Sequence, residues 1–291
     1  MSYEDFVEAV ERKMKEVTGD HFTVSIFTAE KINGITRKGI VIKEDDLDIS
    51  PTIYLEEYFE HFERGCTVEM VVYEILQLYE EVRVQKKWDY EMFERFEMIS
   101  DKVIYRLVSF EKNKELLESV PYVKFMDLAI IYYLMMDITE NGTAAMLIRN
   151  EHMEKWGTDA KEIHRMAAAN TEKLLPYEFY TMKAMLSELG ADILEVRNDI
   201  MYILTNKARC YGAAAILYED RLEQIGRFLG ENYYVIPSSV HEVIIIGEKD
   251  AWGGREALED MIRDVNDTEI DPEEILSYHA YYYDRSEGKL S

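Results

Sequence analysis

The amino-acid sequence predicts an α+β fold, with a helix-rich N-terminal part packed with a mixed β-sheet C-terminal part. Three observations carry this. Apolar residues recur at helical spacing up to about residue 86. The run "LAIIYYLMM", Leu128–Met136, is apolar on both faces, as expected of a strand at a sheet centre. Beyond it, strand-like and helix-like stretches alternate to the C-terminus, which argues against an all-α or all-β architecture. The expected division is residues 1–86, a hairpin plus a helical pair, and residues 87–291, a mixed α/β domain. With only 5 Pro and 14 Gly and no low-complexity tract, nothing reads as a long linker, so the two parts are compatible with one continuous unit.

Taken in order, Ser2 and Asp5 predict a capped first helix with Val7, Val10, Met14 and Val17 as its apolar stripe. "HFTVSIFTAEKINGITRKGIVIKEDD" predicts two strands around Asn33 and Gly34, a pair suited to the positive φ of a tight hairpin. Ser50 and Pro51 predict the start of a helix lined by Tyr54, Leu55, Tyr58, Phe59 and Phe62 and stopped by Gly65. Thr67 opens the next helix, striped by Val68, Val71, Val72, Ile75, Tyr79 and Val82, and the two are expected to pair. The aromatic stripe reads as core packing rather than a cofactor box. A helix from Met92 to Ile99 should precede the strand "VIYRLVSF", and a second hairpin should turn at Asn141 and Gly142. Asn150 is placed to cap "EHMEKWG", and a longer helix runs from about Ala160 to Lys173. Strand "IMYILTN", helix "GAAAILYEDRLEQIGRFLG", strands "YYVIP" and "HEVIIIG", and helix "REALEDMIRDV" complete the series.

Composition excludes several functions. There are 58 acidic and 33 basic residues, a net charge of −25, and such a surface repels nucleic-acid phosphates; no direct nucleic-acid binding is expected. The longest apolar stretch has 9 residues, against about 20 for a bilayer crossing, so no membrane span is expected. An acidic N-terminus unlike a signal peptide, with Cys66 and Cys210 as two isolated thiols, predicts a cytoplasmic protein without disulfides. No metal or cofactor is expected. "RDVNDTEIDPEE" has Glu269 where a calcium loop needs glycine and Ile275 where it needs glutamate, and His152 and His164 lack metal-ligand spacing. The nine acidic residues from Glu256 to Glu274 read as a solvated face or a partner surface.

The candidate binding residues are Asn170, Asn206, Ser238, Ser239 and His241. Asn170 shares a helical face with Ile163, Met166, Ala167 and Leu174, so its amide is drawn inward and needs partners. Asn206 lies at a strand-to-helix junction, where backbone N–H groups can hold an anion, although no glycine-rich phosphate motif accompanies it. In "VIPSSVHEVIII", Ser238, Ser239, His241 and Glu242 interrupt two apolar runs. Strands are expected over Val235–Pro237 and Val240–Ile246; alternation would then put His241 and Glu242 on opposite faces, so they cannot form a dyad. Without a GxSxG elbow or a defined third partner, no residue is assigned as catalytic.

The stretches "ISPTIYLEEYFEHFERG", "FEKNKELLESVPYVKFMDLAIIYYL", "LIRNEHMEKWG", "AAANTEKLLP", "MYILTNKARCYGAAAILY", "YYVIPSSVHEVIII" and "MIRDVNDTEIDPEEILS" together resemble a bacterial family known as domain of unknown function fifty-six eighty-eight. The resemblance runs over nearly the whole chain and implies no activity, substrate, cofactor or catalytic residue. Two readings stand. The first is a protein-interaction or regulatory module that meets another protein through its acidic surfaces, in its sharpest form a nucleic-acid-mimic inhibitor. The second is a small-molecule-binding or hydrolytic enzyme with a pocket near Asn170, Asn206 and His241. Spacing tests favour the first and leave open whether the chain is an enzyme.

Overall fold

The structure, a computed structural model, describes residues 1–19, 21–44, 50–82, 93–139, 142–188 and 200–291. It divides into two compact units, Met1–Tyr90 and Glu91–Ser291, and its class is α+β. All described strand pairings are antiparallel.

In the first unit, helix α1 (Tyr3–Thr18) begins at the predicted cap: the Asp5 amide donates to Ser2 Oγ at 3.1 Å, and the Ser2 amide donates to the Asp5 carboxylate at 3.2 Å. Strands β1 (Phe22–Glu30) and β2 (Thr36–Glu44) form the first hairpin, with Asn33 and Gly34 at φ 61° and 70°. Its loop spans residues 31–35, closed by the Lys31 amide on the Ile35 carbonyl at 2.7 Å, and is longer than a two-residue turn. The expected helix from Ser50 is instead a third strand, β3 (Thr52–Tyr54), paired with β2; helix α2 (Glu56–Glu63) starts only afterwards. Ser50 donates its hydroxyl to the Ile42 carbonyl across the sheet, so it serves the strand and caps nothing. Helix α3 (Val68–Val82) buries Val71, Val72, Ile75 and Tyr79 as its stripe predicts. Phe6 meets Phe59 and Phe62 at ring distances of 5.2 and 5.3 Å, so the aromatic stripe of α2 is core.

Among the described residues, the second unit holds two sheets. In the first, β4 (Val103–Ser109) flanks one side of β6 (Leu128–Thr139), while β5 (Tyr122–Phe125) and β7 (Gly142–Leu147) pair along the other. Helix α4 (Lys114–Ser119) links β4 to β5. The strand β6 is central and buried at Leu128–Tyr132, Leu134 and Met135, as its continuous apolar run predicts. Thr139 faces Gly142 across the second hairpin; Asn141 lies outside the described residues. Ahead of β4, the helix expected to Ile99 is two 3-10 turns, Phe96–Met98 and Ser100–Lys102, and Met92 lies outside the described residues. Ile99 breaks the helical path at φ −125° with its side chain fully buried. Helix α5 (Asn150–Trp156) has Arg149 as its N-cap residue; Asn150 instead donates to the Glu118 carbonyl at 3.2 Å. Helix α6 (Ala160–Leu174) is capped by Asp159, which accepts from the Lys161 and Glu162 amides at 2.9 Å.

The second sheet comprises β8 (Tyr177–Thr181), β9 (Met201–Asn206), β10 (Tyr233–Ile236), β11 (Val243–Gly247), β12 (Tyr281–Asp284) and β13 (Lys289–Leu290), in the spatial order β13-β12-β10-β11-β9-β8. Helix α7 (Met182–Glu188) follows β8, and α9 (Gly254–Thr268) follows β11. The single helix expected over residues 212–230 is split into a 3-10 segment, Gly212–Leu217, and helix α8 (Arg221–Leu229), with Asp220 at φ 55° between them. Gly212–Ile216 are all buried, and the tight segment lays these small residues flat against neighbouring strands. The strands around the two serines are shorter than expected: β10 ends at Ile236 and β11 begins at Val243. Residues 237–240 pair elsewhere, with Val240 donating to the Glu274 carbonyl, Leu276 to Ser238 and Ser277 to Pro237, each at 2.9 Å. Among the described residues, no helix is long and apolar enough to cross a membrane.

Gly212 sits where three segments meet. A Cβ there would fall 2.1 Å from Thr205 Oγ1, 2.6 Å from the His241 carbonyl oxygen and 2.7 Å from the Asn206 nitrogen. Two of these are backbone atoms with nowhere to move. Gly212→Ala is therefore expected to destabilise the chain by about 2–3 kcal/mol, the cost of overpacking a rigid interior, read as a lower urea midpoint at unchanged slope.

Candidate active site

The site is built at the end of β9. Asn206, 1% exposed, donates its amide to the Cys210 carbonyl at 3.0 Å and accepts from the Cys210 amide at 3.4 Å. The carboxamide thus closes a turn over residues 207–210 by satisfying both backbone groups of one residue. The flanking residues Arg209 and Tyr211 have φ of 48° and 53°, a left-handed conformation uncommon for non-glycine residues. Cys210 is held between them, partly exposed.

Opposite the turn lies the 237–242 connection. Thr205 donates its hydroxyl to the His241 carbonyl at 2.7 Å, Ala213 donates to the Val240 carbonyl at 3.2 Å, and the His241 amide donates to Ser239 Oγ at 3.0 Å. These bonds fix the backbone of His241 from both sides. Its ring has three neighbours. The Cys210 sulfur lies close enough to favour the charged ring. The Tyr211 amide approaches Nδ1 at 3.3 Å, and Glu274 Oε1 lies 3.2 Å from Nε2. Glu274 reaches this position because its segment pairs with residues 238–240, including a bridge between Ser239 and Ile275.

Cys210 and then Glu274 push the His241 imidazole up to about 10, against the opposing effect of burial. The Tyr211 N–H pulls the other way, because it calls for a lone pair on Nδ1. That contact is long and neutral at its acceptor, whereas the carboxylate contact is charge-assisted, so the upward direction prevails. In the neutral ring the same contacts select one tautomer: the proton sits on Nε2 facing Glu274, and Nδ1 is the basic nitrogen facing the Tyr211 amide. Burial holds the carboxyl of the adjacent Glu242 above the usual carboxylate range. It is Glu274, not Glu242, that contacts the ring.

Tyr211 is braced from beneath. The guanidinium of Arg106, a buried residue of β4, stacks over the Tyr211 ring at 3.8 Å and over the Tyr133 ring at 4.2 Å. The residue that supplies an N–H to His241 is therefore anchored through its own side chain to the first sheet.

Of the five residues chosen from the sequence, Asn206, Ser239 and His241 converge in this cluster. Ser238 contributes its carbonyl to the Leu276 amide. Asn170 is engaged elsewhere: its amide donates to the carbonyls of Ser100 and Val103 at 2.8 and 3.2 Å, tying α6 to the start of β4. Sequence reasoning missed Cys210, Tyr211 and Glu274. Cys210 reads as an isolated thiol and Glu274 as one acid in an acidic run. The one local signal was the asparagine four residues before the cysteine. Among the described residues no three His, Cys, Asp or Glu side chains gather as a metal site.

A search of curated proteins and one of solved structures each returned no match. The family comparison matches residues 3–285 to a profile described as "Family of unknown function (DUF5688)". With 283 of its 291 residues inside that match, counting 3 through 285, the chain belongs to the DUF5688 family of unknown function.

Proposed function

We propose that the chain is a thiol-dependent acyl hydrolase, the enzymatic one of the two readings that the sequence allows. The observation that carries it is the series Cys210, His241, Glu274: the amide of Tyr211, next to the cysteine, meets one imidazole nitrogen at 3.3 Å, a carboxylate meets the other at 3.2 Å, and the sulfur favours the charged ring. A nucleophile, a base and an orienting group in contact are the parts that acyl transfer through a covalent intermediate requires. With its value raised to about 10, His241 stands as the imidazolium, and Cys210 beside it enters as the thiolate of an ion pair that attacks the carbonyl carbon of an ester or amide. The leaving group departs with the proton from His241, leaving a thioester on Cys210 and a neutral imidazole. Water then attacks the thioester while His241 accepts its proton; the acid is released and the thiolate–imidazolium pair is restored. Glu274 stabilises the imidazolium at the start and end of the cycle. The interaction reading rests on the net charge of −25, and charge of that kind speaks to solubility and association rather than to chemistry.

Hydrolysis of p-nitrophenyl acetate, with a burst stoichiometric with protein, should be lost by about 10²-fold or more in Cys210→Ser and in His241→Ala, and kept in Cys66→Ser. Iodoacetamide should label Cys210 faster than Cys66, and His241→Ala should remove that advantage. Equal labelling of the two cysteines, unaffected by His241→Ala, would overturn the proposal.

Stability should carry the same signature. His241 has a folded-state value raised from 6.5 to about 10, so its contribution is fully present below about pH 6.5 and is lost as pH rises through about 10. The difference in unfolding free energy between the wild type and His241→Asn should therefore be largest at pH 6 and shrink by pH 10.5 in urea titrations.

A further inference from the structure

At the other end of β9 and β11 lies a cavity of about 180 Å³ lined by Ile200, Tyr202, Phe228, Leu229, Glu231, Gly247 and Asp250. Two features distinguish it from an ordinary surface dimple. Its aromatic walls are set at right angles: the rings of Tyr202 and Phe228 lie 5.5 Å apart at 88°, and Phe179 stacks behind Tyr202 at 5.3 Å and 15°. Phe228 is also 64% exposed, a large apolar ring left uncovered at the C-terminal end of a polar helix. The second feature is charge. Glu231 is only 18% exposed and is held in place by the Lys249 amide, which donates to its carboxylate at 3.0 Å. Asp250 is half-buried on the same lining, and its carboxylate has no partner among the described residues. Lys249 pairs with Glu231 at 3.6 Å through a side chain that is 78% exposed, so the pairing is solvent-screened and Asp250 is the carboxylate left without a cation among the described residues.

Aromatic faces present negative charge to a cation, and two carboxylates reinforce it, whereas the Tyr202 hydroxyl is the one donor side chain among these lining residues for an anion or a neutral polar ligand. The rings also discriminate among cations: an alkylated ammonium has methyl groups to set against them, whereas a primary ammonium has none. From this geometry we infer that the cavity is a binding site for a small quaternary or alkylated ammonium group. Gly247 keeps the cavity open, since a Cβ there would lie 3.3 Å from the Glu231 carboxylate.

The inference is independent of any chemistry at Cys210 and is tested on the full chain by isothermal titration calorimetry with choline and its uncharged isostere 3,3-dimethylbutan-1-ol. Choline should bind saturably at one site per chain, and the isostere at least tenfold more weakly. Phe228→Ala and Asp250→Asn should each weaken choline about tenfold. Asp250→Asn should keep the wild-type melting temperature and Phe228→Ala, which loses ring contacts of about 1 kcal/mol with Tyr202 and Phe179, should stay folded with a slightly lower one, measured alongside. Equal affinity for the charged and neutral ligands, unchanged choline binding in a folded Phe228→Ala, or no saturable choline binding would each overturn it.

Discussion

The backbone pairing between residues 237–240 and residues 274–277 is the contact on which the candidate active site depends. Three hydrogen bonds of 2.9 Å join the segments. Each has a net worth of about 1 kcal/mol, yet together they decide which carboxylate reaches His241. If the polar stretch between β10 and β11 had continued the strand ladder, Glu274 would have no reason to lie beside the imidazole. Pro237 helps to prevent this, because it has no N–H to give and enters the pairing only as an acceptor. Gly212 then lets the β9 turn close against the same segment, bringing Cys210 to the ring from the other side.

Holding that arrangement stores strain. Arg209 and Tyr211 on either side of the cysteine are both left-handed, at a cost of about 1–3 kcal/mol each. The compensating contacts are specific. Asn206 satisfies both backbone groups of Cys210, and Arg106 stacks on Tyr211 from within the other sheet. A chain that needed only to reverse direction here would use glycine at these positions. Arginine and tyrosine stand there instead, Arg209 paired with Glu188 at 2.8 Å and Tyr211 stacked under Arg106, so side chains hold the turn. That suits a nucleophile, whose reactivity depends on being held at the right distance from its base.

The sequence made much of the fold legible where a local pattern decided it. The capping pair Ser2 and Asp5, the Asn33–Gly34 hairpin, the stripe of α3 and the buried run of β6 each announce themselves within a short window. Failures came where a distant partner decided. Thr52–Tyr54 has the aromatic content of the helix that follows, and only the exposed edge of β2 draws it into a sheet. "GAAAIL" has strong helix formers, but its small residues are flattened against strands that the window does not contain. The site follows the same rule. His241 and Ser239 stand out because polar residues interrupt apolar runs, and Asn206 because it marks a strand-to-helix junction. Cys210 and Glu274 interrupt nothing; each acquires meaning only through a neighbour far along the chain.

The second sheet also explains why the two candidate sites must be separate. β9 and β11 are antiparallel, with Leu204 opposite Val243 and Met201 opposite Ile246. Cys210 and His241 therefore leave the sheet at one end, and Tyr202 and Gly247 border the aromatic cavity at the other. From Val243 to Gly247 an extended strand advances about 14 Å, at about 3.4 Å per residue. A small ammonium ligand in the cavity cannot touch the thiol. Any influence of one site on the other would have to pass through two hydrogen-bonded strands buried among Ile203, Leu204, Val243 and Ile245, which pack too tightly to slide by fractions of a residue. The sheet thus serves as a spacer: it fixes the distance between an anionic aromatic corner and a thiol, and a molecule that used both would need a cationic head and a reactive carbonyl about that far apart.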